Sequence, residues 1–256
     1  MFQFIRNWQN RRIIQRSTIT STQWATAFSS LPLLQGLTAD EKHTLQDLAI
    51  LFLHHKVFEG AHDFVVTSGM KLIIALQACL PVLKLDLDGY DGWFTVVVYP
   101  AGFAPKRVIR DEYGVEHHVQ SNLAGEAWQR GPVVLAWDET ECAGVIDGHN
   151  LVIHEFAHKL DMQNGDANGF PPLHKGMDST AWAEALSAGF KDLQHKCSHG
   201  EGIGIDCYAA SSPAEYFAVL SEVFFERPNV IQHHYTEVYE QLCQYYRQDP
   251  LTRLRN

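Results

Sequence analysis

The chain has 256 residues, 46% hydrophobic and 20% charged, a length and balance that can bury a substantial core without covalent staples. Its formal net charge of −10 argues against a non-specific nucleic-acid binder, which presents a basic face. The five cysteines (Cys79, Cys142, Cys197, Cys207, Cys243) are scattered and odd in number, with no CxxC pair, which suits a reducing compartment better than a disulfide framework.

The first stretch is basic. Arg6, Arg11, Arg12 and Arg16 come before any acid, the first being Asp40. It has no apolar h-region and no small-residue cleavage site, so it does not read as a signal peptide. A packed or frayed first helix is expected there, in preference to a basic amphipathic helix lying on a membrane. "TADEKHTLQDLAILFLHHKVFEG" follows as a helix, with Thr38 and Glu41 forming a capping box and Leu45, Leu48, Leu51 and Phe52 at helical spacing. "SGMKLIIALQACLPVLKL" reads as a more buried helix stopped near Pro81. Its apolar run is too short to span a bilayer.

The pattern then changes. "GWFTVVVYP" is β-branched and aromatic and predicts a strand. "AGFAPKRVIRDEYGVEHHVQ" predicts a hairpin or a long loop. "GPVVLAW" predicts a second strand, and "DETECAGVIDGHN" a loop. The helix "LVIHEFAHKLD" comes next, followed by the turn-rich "NGDANGFPP". "STAWAEALSAGFKDLQHKC" predicts a long helix capped by Ser179 or Thr180. "SSPAEYFAVLSEVFFERP" predicts another, with Ser212 as N-cap and Pro213 in the first turn. "NVIQHHYTEVYEQLCQYYRQDP" predicts one more. Helices with a few strands between them give an α+β class. No low-complexity linker divides the chain, so one domain over 1–256 is expected, with a helical part at 1–86 and a catalytic part at 87–256.

"LVIHEFAHKLD" carries the chemistry. A helix turns about 100° per residue, so His154 and His158 lie on nearly one face and can aim two imidazoles at one ion. Zinc takes imidazole readily and keeps one position for water in catalytic sites. Glu155 flanks that position and can act as general base. Fourteen histidines raise the odds of a chance match. The apolar flanks weigh the other way, because buried polar groups without partners cost a few kcal/mol each. The pairs His54–His55, His117–His118 and His233–His234 lack ligand spacing and read as surface or packing residues.

A third ligand is needed. HExxHxxGxxH is not met, since Asp161 and Asn164 stand at the later positions. A downstream ExxxD is not met either, since Val219 follows Glu215 by four. Glu215 is the leading candidate, yet Ser212-Pro213-Ala214-Glu215 is itself a capping box, and position alone leaves the two roles balanced. His149, His174, His195, His199 and Glu222 are weaker rivals. Tyr208 is either a core tyrosine or a donor to a developing oxyanion. Asp161 either orients a ligand histidine or bonds the following turn, and Glu222 is a further candidate to support the ligands.

Together, "HEFAHKLD" and "YAASSPAEYFAVLSEVFF" resemble the Mlc titration factor A family of bacterial zinc metallopeptidases. "LPLL", "ALQACLPVL", "GPVVLAW", "NGDANG" and "QLCQYYRQDPLTRL" extend the resemblance over nearly all the chain past the first twenty residues. The active-site blocks are also similar to lethal-factor-type toxin proteases, which share HExxH, the following aspartate and a tyrosine seven before a helical glutamate. The resemblance implies a zincin-like fold, mostly helical with a small sheet and an HExxH active-site helix. It implies one Zn2+ per chain, with His154, His158 and Glu215 as ligands. Glu155 is then the base, and Tyr208 helps hold the oxyanion. It also implies aminopeptidase-type activity on short peptides. The partner it implies is Mlc, a glucose-responsive transcriptional repressor that is sequestered from DNA, with effect on the sugar phosphotransferase system. A cytoplasmic monomer is expected, with no direct nucleic-acid or membrane partner. The other readings are a non-catalytic sequestering protein with a structural or vestigial zinc, and a protease recruited to membranes by its basic N-terminus. "GPVVLAW" is the strand edge expected to hold an extended peptide.

Overall fold

The computed structural model describes residues 2–102, 106–110, 116–120, 125–127, 131–141 and 145–254. Cys142 lies outside them. Three helices open the chain: α1 (Phe2–Gln15), α2 (Ser21–Ser29) and α3 (Ala39–His55). Strand β1 (Val57–Gly60) and helix α4 (Ser68–Cys79) follow. Next come β2 (Thr95–Tyr99), β3 (Lys106–Arg110), β4 (Glu116–Gln120), β5 (Gly125–Ala127), β6 (Val133–Ala136) and the short α5 (Trp137–Glu141). The rest is helical: α6 (Leu151–Asp161), α7 (Ser179–Ser198), α8 (Pro213–Glu226), α9 (Pro228–His234), α10 (Thr236–Tyr246) and α11 (Pro250–Leu254). No helix among the described residues is long and apolar enough to cross a membrane.

The main sheet runs in the order β1-β2-β6-β5. β1, β2 and β6 are parallel, and β5 pairs antiparallel with β6. β6 is buried along its whole length, as a parallel strand covered on both faces should be. β3 and β4 pair antiparallel, the first of the two alternatives expected for this stretch. One expectation fails here. β6 was to offer a free edge to a peptide, but Val96↔Val133 and Glu126↔Val134 pair it on both sides.

Other differences have local causes. The capping box at Thr38 and Glu41 forms, but its helix stops at His55, not Gly60. Lys56 sends its ammonium to the carbonyls of Tyr90 and Trp93, and Val57 and Phe58 join the sheet beside β2. The helix expected over 229–250 breaks at Tyr235, whose φ/ψ of −141/64° is not helical and whose hydroxyl donates to Asp192 of α7. Asp178, not Ser179 or Thr180, caps α7. A helical turn, α5, occupies part of the loop expected after β6.

Helix α6 lies at the centre. Its Phe156 packs against Phe52 of α3, Tyr90 and Trp93, at ring-centroid distances of 5.5, 5.0 and 5.7 Å. Val152, Ile153 and Leu160 are buried in the same core. His154 and His158 of α6 both face the start of α8.

Candidate metal centre

Asn150 starts α6 by accepting the Ile153 N–H at 3.0 Å. This first turn sets His154 and His158 on one side, 3.2 Å apart between their Nε2 atoms. Across from them, Ser212 caps α8 by accepting the Glu215 N–H at 3.2 Å. The Glu215 side chain does not close the capping box. Its Oε2 lies 3.1 Å from His154 Nε2 and 3.3 Å from His158 Nε2. The two roles that position alone left balanced are thus separated. Ser212 provides the cap, and the Glu215 carboxylate meets the imidazoles.

Among the described residues, His154, His158 and Glu215 are the group of ligand-type side chains whose donor atoms converge, all within 4.8 Å of one another. The donor set fits a divalent metal. Two imidazole nitrogens and a carboxylate oxygen point at a common spot, and no hydrogen-bond partner elsewhere engages Glu215 Oε2. Burial acts to lower the His154 basicity, but its bonds to Glu215 and Glu222 outweigh this and hold it up to about 10. Burial works to raise the Glu215 carboxyl, and the two histidines hold it far below the usual carboxylate range.

Glu222 grips His154 from behind. Its Oε1 accepts from Nδ1 at 2.7 Å, while its Oε2 accepts the Asn150 N–H. Such a bond fixes the ring so that Nε2 turns its lone pair to the centre. Behind Glu222 stands Glu226, whose oxygens accept from Asn150 Nδ2 and the Gly148 N–H, each at 3.0 Å. Gln77 of α4 accepts the other Asn150 amide proton at 2.9 Å. Sequence reasoning missed Asn150, Gln77 and Glu226. A signal existed, because Glu215, Glu222 and Glu226 are seven and four apart on a helix that is otherwise apolar.

Glu155 is 3% exposed, and its Oε2 has no hydrogen-bond partner. Burial pushes its carboxyl up to about 7, against the pull of His154 and His158. Tyr208 is not a core residue. It is 52% exposed, and its ring lies 6.2 Å from that of His154. It sits on a turn at Cys207–Ala210 started by Asp206, which accepts the Tyr208 N–H at 2.8 Å. Cys207 is bridged to Cys197 at the end of α7. The expectation of unpaired cysteines therefore fails for this pair. The short loop between them brings the two Cα atoms to 5.7 Å.

Asp161 does what the second of its two readings describes. Its Oδ2 accepts the N–H groups of Asn168 and Gly169 at 2.8 and 2.7 Å, building the turn after α6. The rival histidines are elsewhere. His149 is exposed beside Asp206, His174 stacks on Tyr245, and His195 stacks on His199. His54, His55 and His233 are exposed.

Fold and cluster define a class: a mostly helical α+β protein holding two imidazoles of α6 against a carboxylate of α8, a donor set suited to a divalent metal. The chain belongs to the glucose-regulated metallo-peptidase M90 family, whose model matches residues 5–247. It is 39% identical over 236 residues to Mlc titration factor A of Yersinia pestis (strain Pestoides F), covering 91% of this chain and 87% of the relative. The same protein from Yersinia pseudotuberculosis serotype O:3 (strain YPIII) matches equally.

Proposed function

We propose that this chain is a zinc-dependent peptidase in which His154, His158 and Glu215 hold the metal and Glu155 is the general base. The observation that carries this reading is the meeting of the Glu215 carboxylate with both α6 imidazoles, beside a buried Glu155 oxygen that has no other partner. Two imidazoles and one carboxylate suit zinc among the divalent ions. When bound, the metal supplies Lewis acidity, which polarises a carbonyl and makes water nucleophilic near neutral pH.

The chain's own groups do the rest. Glu222 holds His154 in the tautomer that presents Nε2 to the ion. Glu155 takes a proton from the attacking water and hands it to the leaving amine. Its burial serves this task, because a carboxyl raised toward 7 both accepts and returns a proton readily. Tyr208, exposed beside His154, donates its phenol to the oxyanion as the carbonyl carbon becomes tetrahedral. The family supports peptides as the substrates. The resemblance supports aminopeptidase action within a single catalytic domain.

The relatives' printed name supports a second part of the reading: the chain binds an Mlc-type repressor. The cytoplasm, where such a repressor works, is the matching location. A sequestering protein without catalysis is the competing reading, and the unpartnered Glu155 oxygen favours the enzyme, since a structural metal site needs no base.

One experiment tests this. Metal content and cleavage of blocked and unblocked short peptides are measured for the wild type and Glu155→Gln. Both proteins should carry about one zinc, as a three-ligand site predicts, and only the wild type should cleave. Cleavage restricted to unblocked peptides identifies an aminopeptidase. A zinc-loaded wild type that cleaves no peptide, with or without the repressor, overturns the enzyme reading and leaves sequestration.

A further inference from the structure

The basic N-terminal stretch has no part in the metal centre. Helix α1 is nonetheless anchored: Arg6 pairs with Asp88 at 2.8 Å, and Ile13 and Ile14 are half-buried. Where α1 meets α3 and α4, a cavity of about 440 Å³ opens, within the range of small-molecule sites. It shares no lining residue with the His154 cluster.

The cavity has two kinds of wall. Ile13, Ile19, Ile50, Leu53 and Leu72 make an apolar floor. Arg12, Arg16 and Lys71 bring positive charge to it, and no aspartate or glutamate lines it. This is notable in a chain with 30 acids against 20 lysines and arginines. Among the described residues, Arg12, Arg16 and Lys71 make no salt bridge. Arg12 is held by stacking on Trp8, with 4.6 Å between guanidinium and ring, which leaves its N–H edge free to donate. Lys71 is half-buried, its ammonium 5.8 Å from the Phe58 ring. Ser68, the first residue of the 12-residue α4, also lines the cavity, adding the partial positive charge of a helix start. Arg12 and Arg16 are exposed at the rim, and an anion held between them and Lys71 would meet positive charge with no carboxylate in the cavity wall.

We propose that this cavity binds a small soluble organic anion: a phosphate or carboxylate head on a short aliphatic body. The head meets Arg12, Arg16 and Lys71, and the body covers the isoleucine and leucine floor. An inorganic ion alone would leave the floor wet, and a neutral chain would leave the cations unpaired.

Titration calorimetry on the full, metal-loaded chain tests this with octyl phosphate below its micelle concentration. Inorganic phosphate and octyltrimethylammonium are the head-only and reversed-charge controls. Octyl phosphate should bind about tenfold or more tightly than inorganic phosphate, and the ammonium should not bind. Arg12→Gln with Arg16→Gln should weaken octyl phosphate about tenfold or more, with zinc content unchanged. If that double variant misfolds by circular dichroism, Lys71→Met serves in its place and should lower the affinity severalfold. Absent octyl phosphate binding, or binding that no cation removal alters, overturns the proposal. So does binding to vesicles of phosphatidylglycerol and phosphatidylcholine that depends on Arg12 and Arg16 while monomeric octyl phosphate stays unbound, which would make the face a membrane contact.

Discussion

At the scale of single residues, the centre depends on what stands behind the ligands. His154 can present Nε2 to an ion only while its Nδ1–H is held, and Glu222 holds it at 2.7 Å. Glu222→Ala should weaken zinc binding by about 10- to 100-fold, the usual effect of losing such support. Competition against a chromophoric chelator measures this, and an unchanged affinity would mean that α6 packing alone orients the ring. The metal-free cluster also keeps a proton. Burial disfavours a charged His154, yet Glu215 and Glu222 hold it up to about 10, so at neutral pH the proton stays on. A metal needs that lone pair and must expel the proton. The sign follows: affinity falls as pH is lowered, by about tenfold per pH unit for one proton released. Calorimetry at pH 7 in two buffers of different ionisation heat should show release near one proton. A flat affinity between pH 6 and 8 would contradict it.

At the scale of elements, the turn between α6 and α7 sets the distance between the histidines and Glu215. Asp161 binds this turn through the Asn168 and Gly169 N–H groups. Gly169 has φ +77°, and a Cβ there would lie 2.4 Å from the Pro213 carbonyl oxygen at the start of α8. Gly169→Ala should therefore cost roughly 1–3 kcal/mol in stability and loosen zinc as α8 is pushed away, both visible in metal-dependent unfolding. A variant as stable as wild type would show that α8 yields without cost. The Cys197–Cys207 bridge ties the Tyr208 turn to α7 across ten residues. Its closure of a short loop contributes roughly 2–3 kcal/mol. Reduction, or Cys207→Ser, should lower kcat/KM through a slacker Tyr208 while zinc content holds. Equal kcat/KM in both redox states would separate the bridge from the site. These elements mark the limits of sequence reading. His154, Glu155 and His158 were legible, because helical periodicity and spacing are local. So was the cap at Ser212. Whether Glu215 turned back to its own cap or out to the histidines depends on where α6 lies, which no local rule contains. Strand β1 was hidden for the same reason: Val57–Gly60 continue a helical pattern, and β2 alone makes them a strand. The bridge was hidden because cysteine spacing says nothing of two Cα atoms brought together by a loop.

At the scale of the whole molecule, the centre is a joint between two helices, α6 and α8, packed within one core. α6 is fixed to the N-terminal helices through Phe156 against Phe52, Tyr90 and Trp93. α8 is fixed to the C-terminal helices, where Phe224 and Phe225 lie 5.5 and 5.0 Å from the Tyr246 ring of α10. Across the joint, Glu215 lies 3.1 and 3.3 Å from the two imidazoles, and Glu222 and Glu226 bond His154 and the start of α6. A metal that takes one carboxylate from α8 and two imidazoles from α6 binds the folded arrangement and not the unfolded chain. Its contribution to stability is then RT ln(1 + [L]/Kd), about 2.7 kcal/mol at a free concentration 100 times Kd. Chelation should lower the thermal midpoint of the wild type by several degrees, and re-addition of zinc should restore it. Glu215→Ala should remove most of that difference, because it cuts the α8 side of the joint, whereas Glu155→Gln should keep it, because Glu155 is assigned to the proton and not to the ion. Scanning calorimetry of the three proteins with and without chelator decides this. A midpoint in the wild type that ignores chelation, or a Glu215→Ala protein that responds as fully as the wild type, would mean that the metal is held within α6 alone and that the carboxylate of α8 is not its third ligand.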